Sequence, residues 1–234
     1  MARPVRPRPP RPPAQLPLDL ALAPQFGEED FLVGPSNEAA HDFMTLWPDW
    51  PARIALLTGP AGSGKTHLAH IWSARSGARL LAASRIGDVS PAMLTDAPAL
   101  AIDGCDTGTF DEARLFHIIN LVHERGRTLL LTARRQPDLW GIATADLLSR
   151  LRLAPATAIA GPDDGLLRAV MVKQFLDRQL TVDVSVVEFV VARIERSFAA
   201  VRSVVDALDR EALALGRRIT RPVAAAVLER IAPS

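Results

Sequence analysis

The 234-residue chain has a single cysteine, no tyrosine and only two lysines, Lys65 and Lys173. The lone thiol, Cys105, excludes a disulfide framework and a multi-thiolate metal site, and it suits a reducing compartment. No stretch approaches the roughly 18 to 20 apolar residues that a membrane-spanning helix needs. Nor does an apolar run follow the arginines of the opening MARPVRPRPP, so a secretory signal is not expected. The expected setting is cytoplasmic, with no membrane partner. All 27 basic residues except those two lysines are arginine, a skew that accompanies abundant Ala, Pro and Leu and is not in itself a mark of nucleic-acid binding. Four of the arginines (Arg3, Arg6, Arg8 and Arg11) stand in the first 14 residues with no acid beside them, and the rest of the chain carries a net charge of −3. A domain that reads DNA is usually clearly basic. Sequence-specific DNA binding is therefore not expected.

Three regions follow from the pattern along the chain. Residues 1–25 hold eight prolines, which remove backbone donors and force extended geometry, so a disordered tail is predicted. Within it, Gln15 is followed by Leu16, Leu18 and Leu20 at alternate positions. That spacing puts the leucines on one side of an extended segment and suits a groove on a partner. Residues 26–161 alternate short apolar runs (53–58, 80–83, 99–103, 128–132 and 157–160) with helical stretches, including one capped by Ser36. This pattern predicts a parallel sheet with helices on both faces. Residues 162–234 carry only helical periodicity, at 163–179, 184–196, 199–215 and 221–231, with Pro222 in the first turn of the last. The expected fold is an α/β P-loop domain followed by a small all-α lid.

The clearest chemical signal is Gly59, Pro60, Ala61, Gly62, Ser63, Gly64, Lys65 and Thr66, which fits G-x-x-x-x-G-K-S/T between an apolar strand and a helix. Backbone N–H groups of such a loop curl around phosphate oxygens, and the helix N-terminus adds a favourable dipole. Lys65 would reach the β- and γ-phosphates, and the Thr66 hydroxyl would bind Mg²⁺. Asp103 ends the apolar run 99–103, where an acid can hold the Mg²⁺ shell. ATPases of this type usually carry a second acid next, to polarise the attacking water. Here the next residue is Gly104, so weak or absent intrinsic hydrolysis of a bound nucleotide, ADP or ATP, is expected. Asp106 reads as a turn former. His67 and His70 lack a second ligand pair, and Trp47 and Trp50 read as packing anchors.

The order of motifs resembles that of the DnaA-related AAA+ proteins. FLVGPSN (31–37) resembles the family's nucleotide-base segment, GPAGSGKTHLAHIW (59–72) its P-loop and helix, and LLLTARRQP (129–137) its sensor-1 strand. ADLLSRL (145–151) resembles the box whose arginine acts on a neighbour's ATP, and FAAVRSVVDAL (198–208) the lid helix with the sensor-2 arginine. A clamp-type peptide ahead of such a module, with no helix-turn-helix motif after the lid, is similar to the Hda-type regulatory inactivators of DnaA. The resemblance implies nucleotide contacts at Leu32, Val33, Asn37, His67, Thr132 and Arg202, and a trans arginine finger at Arg150, with Arg152 as the alternative. Taken alone, Arg150 could equally pair with Asp146 one turn earlier. The implied function is negative regulation of chromosomal replication initiation, with Gln15, Leu16, Leu18 and Leu20 tethering the chain to the DNA polymerase III sliding clamp (beta subunit). The chain would then stimulate hydrolysis of DnaA-bound ATP, and a homo-oligomer is compatible with the class. The rival is a stand-alone DnaA-like ATPase or a helicase loader or adaptor, which has no use for a clamp peptide.

Overall fold

The structure, a computed structural model, describes residues 26–90, 96–106, 111–215 and 218–231. Gln15, Leu16, Leu18 and Leu20 lie outside the described residues. Five strands, β1 (Ile54–Thr58), β2 (Arg79–Ala82), β3 (Ala99–Asp103), β4 (Thr128–Ala133) and β5 (Ala156–Ala158), form one sheet in the order β2-β3-β4-β1-β5. Every pairing is parallel. A parallel sheet is covered on both faces, which is why the central strands read as unbroken apolar runs. Every residue of β1 is buried.

Side-chain alternation divides these strands between two cores. Ile54, Leu56, Leu100, Ile102, Leu129 and Leu131 pack under α3 (Glu112–Glu124) and α4 (Ala145–Leu153). Ala55, Leu57, Ala99, Ala101 and Leu130 pack under α1 (Glu38–Thr45) and α2 (Lys65–Ser76). Trp50 stacks on Trp72 at 5.1 Å and Trp47 meets Trp72 edge-on, so the tryptophans around the proline turn are packing anchors.

Four helices follow the sheet: α5 (Asp164–Asp177), α6 (Val184–Val191), α7 (Phe198–Leu215) and α8 (Arg221–Ile231). They enclose a core of their own, with Leu167, Met171, Phe175, Val190, Val205, Leu208 and Val227 at its centre. The carboxylates of Asp163 and Asp183 accept from the N–H groups of Leu166 and Ser185 and so satisfy first-turn donors of α5 and α6. Most boundaries fall within one or two residues of those the periodicity suggests. α1 starts after Asn37 rather than Ser36. α6 ends at Val191 rather than Arg196, and the next helix is opened by Ser197, whose Oγ accepts from Ala200 N–H at 3.1 Å. Among the described residues no helix is long and apolar enough to cross a membrane.

Candidate functional site

In open parallel sheets, ligands bind beyond the carboxyl ends of the strands. Here β1 runs into the glycine loop, β3 ends at Asp103, and β4 delivers Thr132 and Ala133 between them. Gly59 has φ 152°, and a Cβ there would lie 2.3 Å from the Ile159 carbonyl oxygen, so only glycine lets the loop leave the sheet. The buried Lys65 donates from Nζ to the carbonyls of Gly59 and Pro60, both at 2.7 Å. Burial pushes its pKa below the ordinary lysine value; Asp103 and Asp106 oppose that shift, and Arg134 adds to it. Ser63 Oγ is buried and, among the described residues, has no hydrogen-bond partner. An orphaned hydroxyl and a lysine folded onto its own loop fit a site whose missing partners are phosphate oxygens.

Thr66 Oγ1 donates to Asp103 Oδ2 at 2.9 Å, which brings together the two side chains expected at the metal. A hydroxyl and a carboxylate are the hard oxygen donors that Mg²⁺ takes, alongside phosphate and water. Among the described residues no group of three or more His, Cys, Asp or Glu converges, so Thr66 and Asp103 would share such an ion with the nucleotide. Thr132, fully buried, gives its hydroxyl proton to Asp103 Oδ1 and accepts from Gly104 N–H at 3.0 Å. Its single proton is therefore committed to orienting the carboxylate.

Asp106 does more than form a turn. Its side chain is 1% exposed, its Oδ1 accepts from Arg134 N–H at 2.9 Å, and Arg135 lies 3.8 Å from Oδ2. It braces the loops after β3 and β4 against each other. The neighbouring Cys105 is buried, and loss of water pushes its thiol pKa far up, as suits a small core side chain.

The base segment is shaped by Asn37. Its buried amide accepts from Gly34 N–H at 2.8 Å and donates to the Leu32 carbonyl at 2.9 Å. Asn37 thus spends its side chain on curling residues 32–34, where Val33 is exposed. Leu32 also lines a groove of about 620 Å³ with Ala169, Val172 and Leu176 of α5. His67 pairs through Nε2 with the Gly27 carbonyl at 2.9 Å and meets Phe26 and Phe31 edge-on, while His70 stacks on Phe26 at 4.1 Å. The two histidines pin the N-terminal segment to the P-loop helix.

The lid reaches the same loop. Phe198 N–H donates to the Gly62 carbonyl at 3.0 Å, and a Cβ on Gly62, where φ is +69°, would lie 2.8 Å from Ser197 Cβ. Arg202 follows one turn later on α7, exposed, and its charge is felt at His67. Arg150 lies elsewhere. It projects from α4, on the sheet face opposite the P-loop helix, and donates to Asn120 Oδ1 at 2.6 Å rather than pairing with Asp146. Arg152, two residues on, pairs with Asp138. The contacts of Asp106 with the loop after β4 and of Asn120 with Arg150 had no signal in the sequence, since each joins residues 28 or more positions apart.

Residues 164–228 match the family model described as "Hda, lid domain". The chain is 26% identical over 235 residues to the chromosomal replication initiator protein DnaA of Thermomicrobium roseum, covering 88% of this chain and 49% of that protein. Among solved structures, domain III of Thermotoga maritima DnaA superposes with a TM-score of 0.76 at 20% identity, covering 90% of this chain and 99% of that domain. The chain is thus similar to the DnaA-type AAA+ proteins in sequence and in fold. AMPPCP-bound DnaA from Aquifex aeolicus shares the fold at a TM-score of 0.68 and 16% identity, covering 84% of this chain and 69% of that one. The AAA+ chain spans about half the length of the curated relatives it matches. The sheet and its flanking helices form the AAA+ α/β unit, and the Hda-type match falls on the helices that follow it.

Proposed function

We propose that this AAA+ protein binds ADP or ATP and acts as a negative regulator of replication initiation, supplying Arg150 to the ATP site of a neighbouring DnaA. The position of Arg150 carries this reading. Its guanidinium is exposed on the face away from the P-loop helix, and its partners belong to α3 and not to the chain's own phosphate site. An arginine so placed serves a phosphate held by another molecule better than its own. Gly104, standing where a water-polarising acid would be, fits a nucleotide that orders the interface and is not itself turned over. The Hda-type lid supports the same assignment.

In this mechanism the P-loop backbone and Lys65 bind the chain's own nucleotide, Thr66 and Asp103 would hold Mg²⁺, and Thr132 fixes the Asp103 carboxylate. The metal supplies charge neutralisation at the phosphates when bound. Arg150 stabilises charge that develops on the neighbour's transferring phosphoryl group, and related fingers contribute roughly 10³–10⁵ in rate. Gln15, Leu16, Leu18 and Leu20 hold the chain on the sliding clamp, which raises the local concentration of a weak docking surface.

The test mixes the protein with ATP-loaded DnaA and DNA-loaded clamp and follows conversion of DnaA-bound ATP to ADP. Conversion should require all three components. Arg150→Ala should abolish the stimulation while nucleotide and clamp binding persist. Wild-type stimulation by Arg150→Ala would remove the finger, and rapid turnover by the protein alone would reassign it as a stand-alone ATPase.

A further inference from the structure

Residues 26–32 run as a strap between the sheet and the lid. One end is fixed to α2, the helix that opens with Lys65 and Thr66: the Gly27 carbonyl pairs with His67 Nε2 at 2.9 Å, and Phe26 stacks on His70 at 4.1 Å. Beyond Asp30, Phe31 packs on the core under α1 and α2 and meets His67 edge-on. Asp30 ends a single turn of 3₁₀ helix and is pinned from both sides, so it moves with the sheet. Its carboxylate, 14% exposed, accepts from Lys173 Nζ of α5, across on the lid. Leu32 follows into the groove that Val172 and Leu176 line on the same helix.

The ion pairs of Arg168, Arg178, Arg196 and Arg230 stay within the lid, whereas that of Lys173 crosses to the sheet domain. Met171 and Phe175 of α5 share one close-packed core with Val201, Val205 and Leu208 of α7, so these helices move together. The same unit bonds the phosphate loop through Phe198 N–H, at the start of α7, and the Gly62 carbonyl. Lifting the lid from that loop therefore also parts Asp30 from Lys173. A partly buried, charge-assisted bond resists this more than a surface pair would.

Lys173 has a second partner. Asp177, one turn on along α5, accepts from the same ammonium at 2.9 Å. Hydrogen bonds to Asp177 and Asp30 hold the lysine pKa above its ordinary value, so the group stays charged.

We infer that Asp30 and Lys173 are positioning residues that clasp the lid onto the phosphate loop and so set how long a bound nucleoside diphosphate or triphosphate stays. This rests on the reading of the P-loop as a nucleotide site. When the lid lifts, the ammonium keeps Asp177 and the Asp30 carboxylate passes to water. Neither charge is stranded, so the clasp opens and closes without the penalty of an uncompensated buried ion.

The experiment follows release of a fluorescent ADP from the full chain after mixing with excess ADP. Asp30→Asn removes the charge, keeps the shape and leaves Lys173 paired with Asp177. Release should quicken by about threefold to tenfold, with the association rate within about twofold of wild type. Asp177→Asn leaves the whole ammonium to Asp30, so release should match wild type or slow. Lys173→Met should quicken release, and adding Asp30→Asn to it should change the rate by less than about twofold, since the pair is already broken. A second readout needs no nucleotide: amide hydrogen exchange at Phe198, whose N–H is held by the Gly62 carbonyl, should be faster in Asp30→Asn. Wild-type release by Asp30→Asn, or unchanged exchange at Phe198, would overturn the clasp. Additive effects of Asp30→Asn and Lys173→Met would overturn it too, because the two side chains would then act separately. If the wild-type chain fails to bind the fluorescent ADP, the nucleotide reading itself fails, and exchange at Phe198 alone decides whether Asp30 holds the lid.

Discussion

The contact between Gly62 and Ser197 links the lid to the phosphate loop, and its weight can be measured. Alanine at Gly62 meets two penalties. With φ at +69°, an L-residue there costs roughly 1–2 kcal/mol. The new Cβ would also lie 2.8 Å from Ser197 Cβ, well inside carbon–carbon contact, and forced overpacking typically costs about 1–3 kcal/mol. Gly62→Ala should therefore destabilise by about 2–5 kcal/mol. Gly126→Ala is the control: φ is +60°, but no atom lies within 4 Å of the added Cβ, so only the backbone penalty applies. Ser197→Gly removes the opposing Cβ, and as glycine at a helix N-cap it costs only a few tenths of a kcal/mol. Combined with Gly62→Ala it should recover the steric part, giving a coupling energy of about 1–3 kcal/mol in a double-mutant cycle. Urea unfolding supplies the readout. All four tryptophans (Trp47, Trp50, Trp72 and Trp140) precede the lid, so fluorescence follows the sheet domain while circular dichroism also follows the lid helices. Additivity of the two substitutions within about 0.5 kcal/mol would show that the lid does not bear on the loop as described.

Further outcomes follow from other parts of the molecule. Lys65→Ala should abolish nucleotide binding and with it the stabilisation by ligand, about 2.7 kcal/mol at a concentration a hundredfold above Kd; an unchanged ADP-dependent shift in Tm would contradict this. Burial holds the His67 pKa below its ordinary value, and only in part does the Gly27 carbonyl counter this. The unfolded chain therefore takes up the proton first, and stability should fall as pH drops from about 6.5 toward the lower folded value. His67→Leu should lose that portion of the pH slope in urea titrations, and an identical slope would refute it. Alanine at Gln15, Leu18 and Leu20 should abolish capture by the sliding clamp without moving Tm, and retained capture would defeat the tether.

Most of the architecture was legible because it is local. The P-loop, the acid ending β3 and the apolar strands declare themselves through spacing within a few residues, and α2, β3 and α8 begin and end where periodicity puts them. The boundary at Val191 was missed because apolar spacing runs past it, with Ile194 still packing on the lid core after the helix has ended. The role of Asp106 was missed for a similar reason: a loop carboxylate looks like a turn former until the loop after β4 places the N–H of Arg134 above it. The proposed clamp-binding segment lies among residues the structure does not describe, so only its alternating leucines speak for it.

The end of β3 connects these observations. Both oxygens of Asp103 are already committed, Oδ2 to the Thr66 hydroxyl and Oδ1 to the Thr132 hydroxyl, and Thr132 in turn accepts from Gly104 N–H. Gly104 thus serves the site through its backbone, closing a chain of hydrogen bonds from the P-loop helix to β4. A larger residue would have to adopt the φ of 80° found there, a conformation that favours glycine. Restoring an acid at this position would therefore work against the geometry that fixes Asp103. The same backbone that holds the Asp103 carboxylate in place disfavours the side chain needed to activate water. A site with that conflict is suited to holding a nucleotide rather than turning it over, which is what the proposed action of Arg150 on a neighbour's ATP requires.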